Sequence, residues 1–223
     1  MGISERKERE REGRRKLVLE TTKRLILERG VDAVTMNDIA KGSELSKAAL
    51  YLFFTNKDAI LKEIFDEAGI YFCDYVESRL PVNASGIEAI RTIWMSYLEV
   101  YSESNELFML FGIKNRIAPN FPFVVDEGPE SNGGTSFVMY SLIAKIIKHG
   151  VVDGTLDSSV VPGTAARMIL LVASGIVENA IRLPRNMRDS KFIFSEMKAV
   201  FEIFLRGLAS ETCDRKLLVL PMK

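Results

Sequence analysis

Cysteine and histidine are nearly missing from this chain of 223 residues: there are two cysteines, Cys73 and Cys213, and one histidine, His149. Two isolated cysteines give neither a disulfide framework nor a metal-ligand spacing, and a reducing, cytoplasmic setting is the natural expectation. A single imidazole beside Gly150 reads as a cap on helix carbonyls rather than a catalytic base. No phosphate-cradling glycine loop, nucleophile elbow or His/Glu metal pattern occurs, so no catalytic residue, metal site or cofactor is assigned and an enzyme is not expected. Net charge is also missing, at +0 overall. No apolar run approaches the roughly 18 residues of a membrane span, and no membrane partner is expected. The charge-dense first sixteen residues lack the apolar stretch of a secretory leader.

What is present is helical. With 47% hydrophobic and 27% charged residues, the chain has the profile of a globular protein, and apolar residues recur at helical rather than strand spacing. The zero net charge hides an asymmetry: residues 1–62 hold 14 Lys and Arg against 10 Asp and Glu, the remainder 16 against 20. A basic N-terminal unit beside an acidic remainder fits one face meeting a polyanion.

The first helix is expected over about 6–29, with Val18, Thr22, Leu25 and Ile26 forming its apolar stripe and Gly30 ending it. Thr35 is placed to cap a short helix over 36–41, with Asp38 completing a capping box. A turn over 42–45 follows, and Ser46 caps a second short helix over 47–53. Asn56 can cap a long helix over 57–79. Further helices are expected over 86–103, 105–116, 133–149, 162–182 and 189–209, Pro162 suiting a first helical turn. The three prolines and three glycines of 119–134 mark a long loop or partly disordered segment, taken as 117–134 with its flanks.

Two short helices joined by a four-residue turn and braced by longer ones form a helix-turn-helix. In such a unit a projecting helix enters the roughly 12 Å major groove of DNA while its neighbours hold it. Ile39, Ala40, Leu45, Leu50 and Phe54 would lock the pair together, leaving Lys47, Ala48, Tyr51 and Leu52 to face outward.

From Glu28-Arg29-Gly30 through Val34–Ala40, Leu45–Phe54 and Asn56–Leu61, order, spacing and residue class resemble the TetR family of regulators. The resemblance covers about residues 14–62, with a weaker echo at 150–157 and 162–183. It implies an all-α chain of about nine helices: a helix-turn-helix DNA-binding domain with a basic arm over 1–62, and a ligand-binding and dimerisation bundle over 63–223. It places Thr35, Ser46, Lys47, Ala48, Tyr51, Leu52 and Lys57 at positions that line the groove or hold phosphate, Lys47 and Lys57 as point charges. Arg14 and Arg15, the arm residues nearest the globular part, are DNA candidates too. The arm as a whole either orders on DNA or lengthens the first helix through Glu–Arg pairs at i, i+4.

Three residues depart from the family pattern. Glu44 stands where a glycine usually sits, so the turn must find another geometry or bear strain. Ala49 lacks a usual hydroxyl. Leu52 is apolar where relatives are often polar, which shifts sequence reading toward thymine methyl groups, DNA shape or the arm.

The resemblance also surrounds an effector cavity with Trp94, Tyr97, Tyr101, Phe108, Met109, Phe111, Phe137 and Tyr140, residues suited to an apolar or aromatic small molecule; each also suits plain core. The last two long helices are apolar on more than one face. Met168, Leu171, Val172, Gly175, Ile176, Phe201, Phe204 and Leu205 are therefore expected to pair with a second copy. The expectation is a cytoplasmic, bacterial homodimeric repressor, released from a palindromic double-stranded DNA operator by a small molecule. The rivals are a transcriptional activator of the same fold and a ligand-binding protein whose helix-turn-helix is scaffold only.

Overall fold

The computed structural model describes residues 3–103, 113–114, 117, 134–182 and 190–221. Among them are eight α-helices and no strand: α1 (Ile3–Arg29), α2 (Met36–Gly42), α3 (Lys47–Tyr51), α4 (Lys57–Arg79), α5 (Gly86–Glu103), α6 (Gly134–Val152), α7 (Pro162–Arg182) and α8 (Ser190–Leu208), followed by a short 3-10 turn, Arg215–Leu218. The all-α expectation is met. The helix expected over 105–116 and the loop over 117–134 lie largely outside the described residues.

The described helices form two units. One contains α1–α3 and α4 up to Glu67, the other the rest of α4 with α5–α8 and the 3-10 turn. The first unit also takes in Ile113 and Lys114, which the sequence expectation placed in the C-terminal domain over 63–223.

In the N-terminal unit the apolar stripe of α1 buries Val18, Leu25 and Ile26 together with the neutral Thr22, whose hydroxyl donates to the Val18 carbonyl at 2.7 Å. Gly30 ends α1 at φ +84, its N–H donating to the Ile26 carbonyl. From the other elements Val34, Ile39, Leu50, Phe54, Ile60, Leu61 and Ile64 are buried.

In the C-terminal unit α5 is the central helix. Ile87, Ile90, Ile93, Trp94, Tyr97 and Leu98 bury it on most sides, and it packs on α6, α8 and the 3-10 turn. Trp94 stacks on Phe201 with centroids 3.8 Å apart. Tyr97 meets the same ring edge-on, and its hydroxyl donates to the Ala173 carbonyl at 2.7 Å. On α8 the buried residues Ile193, Met197, Phe201 and Leu205 follow i, i+4, i+8 and i+12, a single stripe at helical spacing. The tail folds back, burying Cys213, Leu218 and Leu220, while the Leu220 N–H donates to Glu202.

The start of α5 is fixed by a crossing and a cap. Gly86 and Gly150 touch so closely that a Cβ on Gly86 would lie 2.1 Å from the Gly150 Cα; only two glycines permit this approach. Asp153, just past the end of α6, accepts the Gly86 N–H at 2.7 Å and also the N–H and hydroxyl of Thr155. Burial alone would push the Asp153 carboxyl up; the hydrogen bonds from Thr155 and Gly86 outweigh it and hold the group below its ordinary range.

A carboxylate with a lowered folded pKa contributes stability in full above its unfolded value, about 3.9, and loses it as pH falls through the lower folded value. Asp153→Asn should therefore cost about 1.5–3 kcal/mol at neutral pH. The gap between variant and parent should close as urea melts are taken below about pH 4; a gap independent of pH would contradict this reading of the cap.

Candidate nucleic-acid interface

Helix α3 has only five residues, too few to persist by itself, so its neighbours must hold it. Two caps begin the work. Thr35 accepts the Asp38 N–H while Asp38 accepts the Thr35 N–H at 3.0 Å, a complete capping box on α2. The hydrogen bond from the Thr35 hydroxyl, more than any other contact, lowers the Asp38 carboxyl. Ser46 caps α3 by accepting the Ala49 N–H at 3.1 Å.

Between the helices the chain closes a six-residue loop of the Schellman type: Leu45 N–H donates to the Ala40 carbonyl and Glu44 N–H to the Lys41 carbonyl. This closure requires a left-handed residue at its C′ position, and Glu44 occupies it at φ +56. Ser43 is buried, its hydroxyl donating to the carbonyls of Ile39 and Ala40. The departure noted at Glu44 thus resolves as strain rather than a different turn.

The far side of α3 is anchored by Leu50 and Phe54, both buried. Expected over 47–53, the helix ends at Tyr51; tighter bonds carry the chain on, Leu52 N–H to the Ala49 carbonyl and Phe53 N–H to the Leu50 carbonyl. Lys47 and Ala48 are exposed. Tyr51 is 46% exposed and Leu52 80%. These four outward residues lie on one short segment, with Ser46 exposed at its start.

The placement of two basic residues differs from the expectation. Arg15, expected in the DNA-reaching arm, is turned onto the protein. It forms a two-pronged ion pair with Glu63 of α4, donates to the Phe53 carbonyl at 3.2 Å and lies 4.4 Å above the Phe54 ring. A guanidinium offers several donors in a fixed fork and can satisfy all three contacts at once. Lys57 donates to the carbonyls of Val31 and Val34 at 2.9 and 2.8 Å, tying the α1–α2 connection to the start of α4, where Asn56 supplies the expected cap by accepting the Ala59 N–H. Arg14 is exposed. Neither Glu63 nor its pairing with Arg15 was legible in the sequence; partners 48 positions apart leave no local signal.

In the C-terminal unit Trp94, Tyr97 and Tyr140, expected around an effector, are all buried, Trp94 and Tyr97 in the ring stack with Phe201. The indole Nε1 of Trp94 has no hydrogen-bond partner among the described residues. Phe108, Met109 and Phe111 lie outside the described residues, as do the side chains of Tyr101 and Phe137. Of the expected dimerisation residues, Met168 is 40% exposed, and Leu171, Val172, Gly175, Ile176 and Phe204 are half-buried. Phe201 and Leu205 are corrected: both are buried on the core stripe of α8, because that stripe runs through 193, 197, 201 and 205. The large exposed apolar residues described on α8 are Phe192 and Ile203, at 57% and 63%, which the sequence reading missed. Among the described residues no three His, Cys, Asp or Glu side chains gather as a metal site, and no helix is long and apolar enough to cross a membrane.

Glu44→Gly should raise the stability of the protein by about 0.5–1 kcal/mol in urea unfolding, because glycine takes the left-handed conformation without a Cβ clash. Glu44→Ala, which keeps the Cβ, should give no such gain; equal effects would locate the cost in the carboxylate instead.

Residues 18–64 match the family model for bacterial regulatory proteins of the tetR family. Among curated proteins the chain is similar to YdeS of Bacillus subtilis, described as an uncharacterized HTH-type transcriptional regulator. The two are 36% identical over 75 residues, 34% of this chain and 34% of that relative, so the matched segment spans about a third of that relative's length. Solved structures share the fold at low identity. SmeT, the repressor of a multidrug efflux pump of Stenotrophomonas maltophilia, superposes with a TM-score of 0.68 at 17% identity, covering 94% of each chain. RolR in complex with resorcinol gives 0.62 at 15% identity, covering 96% of this chain and 97% of that one. Residues 18–64 thus carry a helix-turn-helix of the tetR family type, and the chain shares the fold of those regulators.

Proposed function

We propose that the protein is a homodimeric repressor that binds a palindromic operator through α3 and is released from it by an apolar or aromatic small molecule. One observation carries the reading: a five-residue helix rigidly held on one side presents Lys47, Ala48, Tyr51 and the 80% exposed Leu52 on the other. Leaving a leucine this exposed gains nothing for the fold, whereas in a major groove an apolar side chain can meet a thymine methyl. Lys47 supplies charge for phosphate and Tyr51 a phenolic donor. Thr35, Ser46 and Lys57 already serve as caps and ties, so any phosphate contact they make adds to a structural role.

Two features support the remaining parts. On α7 the half-exposed row Met168, Leu171, Val172 and Gly175, where a Cβ would meet open space, and on α8 the exposed Phe192 and Ile203, present apolar surface that a second copy would cover. Pairing would set two reading helices about one DNA turn, ~34–36 Å, apart or slightly more. For the effector, the resorcinol complex of RolR and the efflux-pump role of SmeT favour a small aromatic or apolar ligand. The unpartnered Trp94 Nε1 favours one with a hydrogen-bond acceptor, since a buried donor left unsatisfied is costly. Release then follows if ligand favours one of two states, with α4, which contributes residues to both units, transmitting the difference. We place the protein in the cytoplasm, where its DNA is.

Selection of bound duplexes from a random pool tests the reading. A palindromic site should emerge, and replacing one thymine in it by deoxyuridine should weaken binding by the parent about 5–10-fold, in the range of a single base contact, but leave Leu52→Ala indifferent. If no duplex is retained even in dilute salt, the regulator reading fails. For the dimer, Ile203→Asp should shift sedimentation from dimer to monomer with helicity unchanged; a monomeric parent would refute the pairing.

A further inference from the structure

The first half of α1 runs well past the packed part of its unit, and residues 5–14 are all exposed. Its composition is nearly balanced in charge, but one strip of the helix carries basic residues alone. At about 100° per residue, with Lys7 as origin, Arg14 lies at about −20°, Arg11 at about +40° and Arg15 at about +80°. Glu5, Glu8 and Glu12 gather at about 100–160°. Glu10, at about −60°, is already held by Arg6 at 3.0 Å. Lys7, Arg11, Arg14 and Arg15 therefore form a row of one sign about 100° wide, with Glu8 and Glu12 beside it and Arg6, Arg9 and Lys16 at about −100°, −160° and 180°.

The row has a defined direction. The buried residues of α1 span from about −40° at Thr21, through Leu25, Val18 and Thr22, to about +120° at Leu19, so Lys7, Arg11 and Arg14 leave the body on the buried side of α1, which packs on α2. The row also has a defined origin. Arg15, its innermost member, is bound to the Phe53 carbonyl and the Phe54 ring, immediately after the exposed Tyr51 and Leu52. From that point Arg11 and Lys7 follow at intervals of roughly 6 Å along the helix axis.

We propose that Lys7, Arg11 and Arg14 form a preformed helical rail for the DNA backbone flanking the site read by α3. This rests on the regulator reading and extends it. The arm binds as a helix already present in the free protein, not as a strand ordering in the minor groove, and Arg15 fastens the rail to the reading head rather than touching phosphate. A row of one sign beside the reading segment complements a polyanion running past it.

The test compares two triple variants with the same charge change on the same helix: Lys7→Gln/Arg11→Gln/Arg14→Gln on the rail, and Arg6→Gln/Arg9→Gln/Lys16→Gln away from it. Glutamine keeps the helix, and matched thermal melts confirm it. Binding to a mixed-sequence duplex extending past the reading head is followed by anisotropy between about 50 and 200 mM salt. Each phosphate contact contributes about 0.9 to the slope of log K against log salt. The rail variant should therefore be shallower than the parent by about 2 to 3, and the off-rail variant by less than about 1. Equal changes in the two variants, or an unchanged slope on the rail, would overturn the proposal while leaving the regulator reading intact. A parent that binds no duplex would remove both.

Discussion

A helix of five residues has too few backbone hydrogen bonds to persist unless something larger holds it. In this protein the holding is done by Leu50 and Phe54 on the inner side of α3 and by the Arg15 guanidinium, which joins Phe53, Phe54 and Glu63 at one point. Everything proposed about function depends on that grip. The outward residues Lys47, Ala48, Tyr51 and Leu52 can be a reading surface only because the inward ones leave α3 no freedom to turn. Placing an arginine at the junction, half-shielded and paired with a carboxylate, makes the interaction less sensitive to salt than a fully exposed pair. A DNA-binding head needs that property, since its own contacts to phosphate weaken as salt rises.

The N-terminal unit was readable because its determinants are local. Thr35 with Asp38, Ser46 with Ala49 and Asn56 with Ala59 each lie three positions apart, and a cap can be recognised from such a window. Gly30 is legible for the same reason. Glu44 was legible as a problem but not as its solution. The sequence shows a carboxylate where a glycine would ease the turn; only the hydrogen bonds of Leu45 and Glu44 show that the backbone keeps the left-handed form and accepts the cost. The Arg15–Glu63 pair and the Gly86–Gly150 crossing join positions 48 and 64 residues apart, which no local pattern reveals.

The C-terminal unit illustrates a different limit. Helix α8 carries Phe192, Ile193, Phe194, Met197, Phe201, Ile203, Phe204 and Leu205, so its apolar residues span most of the circumference and its phase is ambiguous. Phe201 and Leu205 were assigned outward and prove to be core, whereas Ile203 and Phe192 are exposed. What decides the phase is a tertiary fact: Trp94 and Tyr97 on α5 converge on the Phe201 ring. The same contact bears on the expected effector residues. Trp94 and Tyr97 already satisfy much of their surface within the protein, so a ligand near them would add to a ring stack rather than fill a space they line alone.

The two unusual features of the reading head bear on each other. Leu52 and Ala48 give α3 few groups able to hydrogen-bond base edges, and Glu44 places a negative charge on the turn before it. Both lower the electrostatic attraction and the sequence readout that the head could otherwise supply. The proposed basic row on α1 would offset the first deficit, because phosphate contacts are independent of sequence and additive in their salt dependence. It cannot offset the second. On the proposed reading, discrimination between operators would fall to apolar contacts with thymine methyl groups and to the ease with which the duplex adopts the required shape. Affinity and specificity would thus reside on different helices of the same unit, with Arg15 as the physical joint between them. If so, changes on the rail should weaken all duplexes alike, whereas changes at Leu52 should alter which duplexes are preferred. That separation follows from the chemistry of the two surfaces rather than from their position.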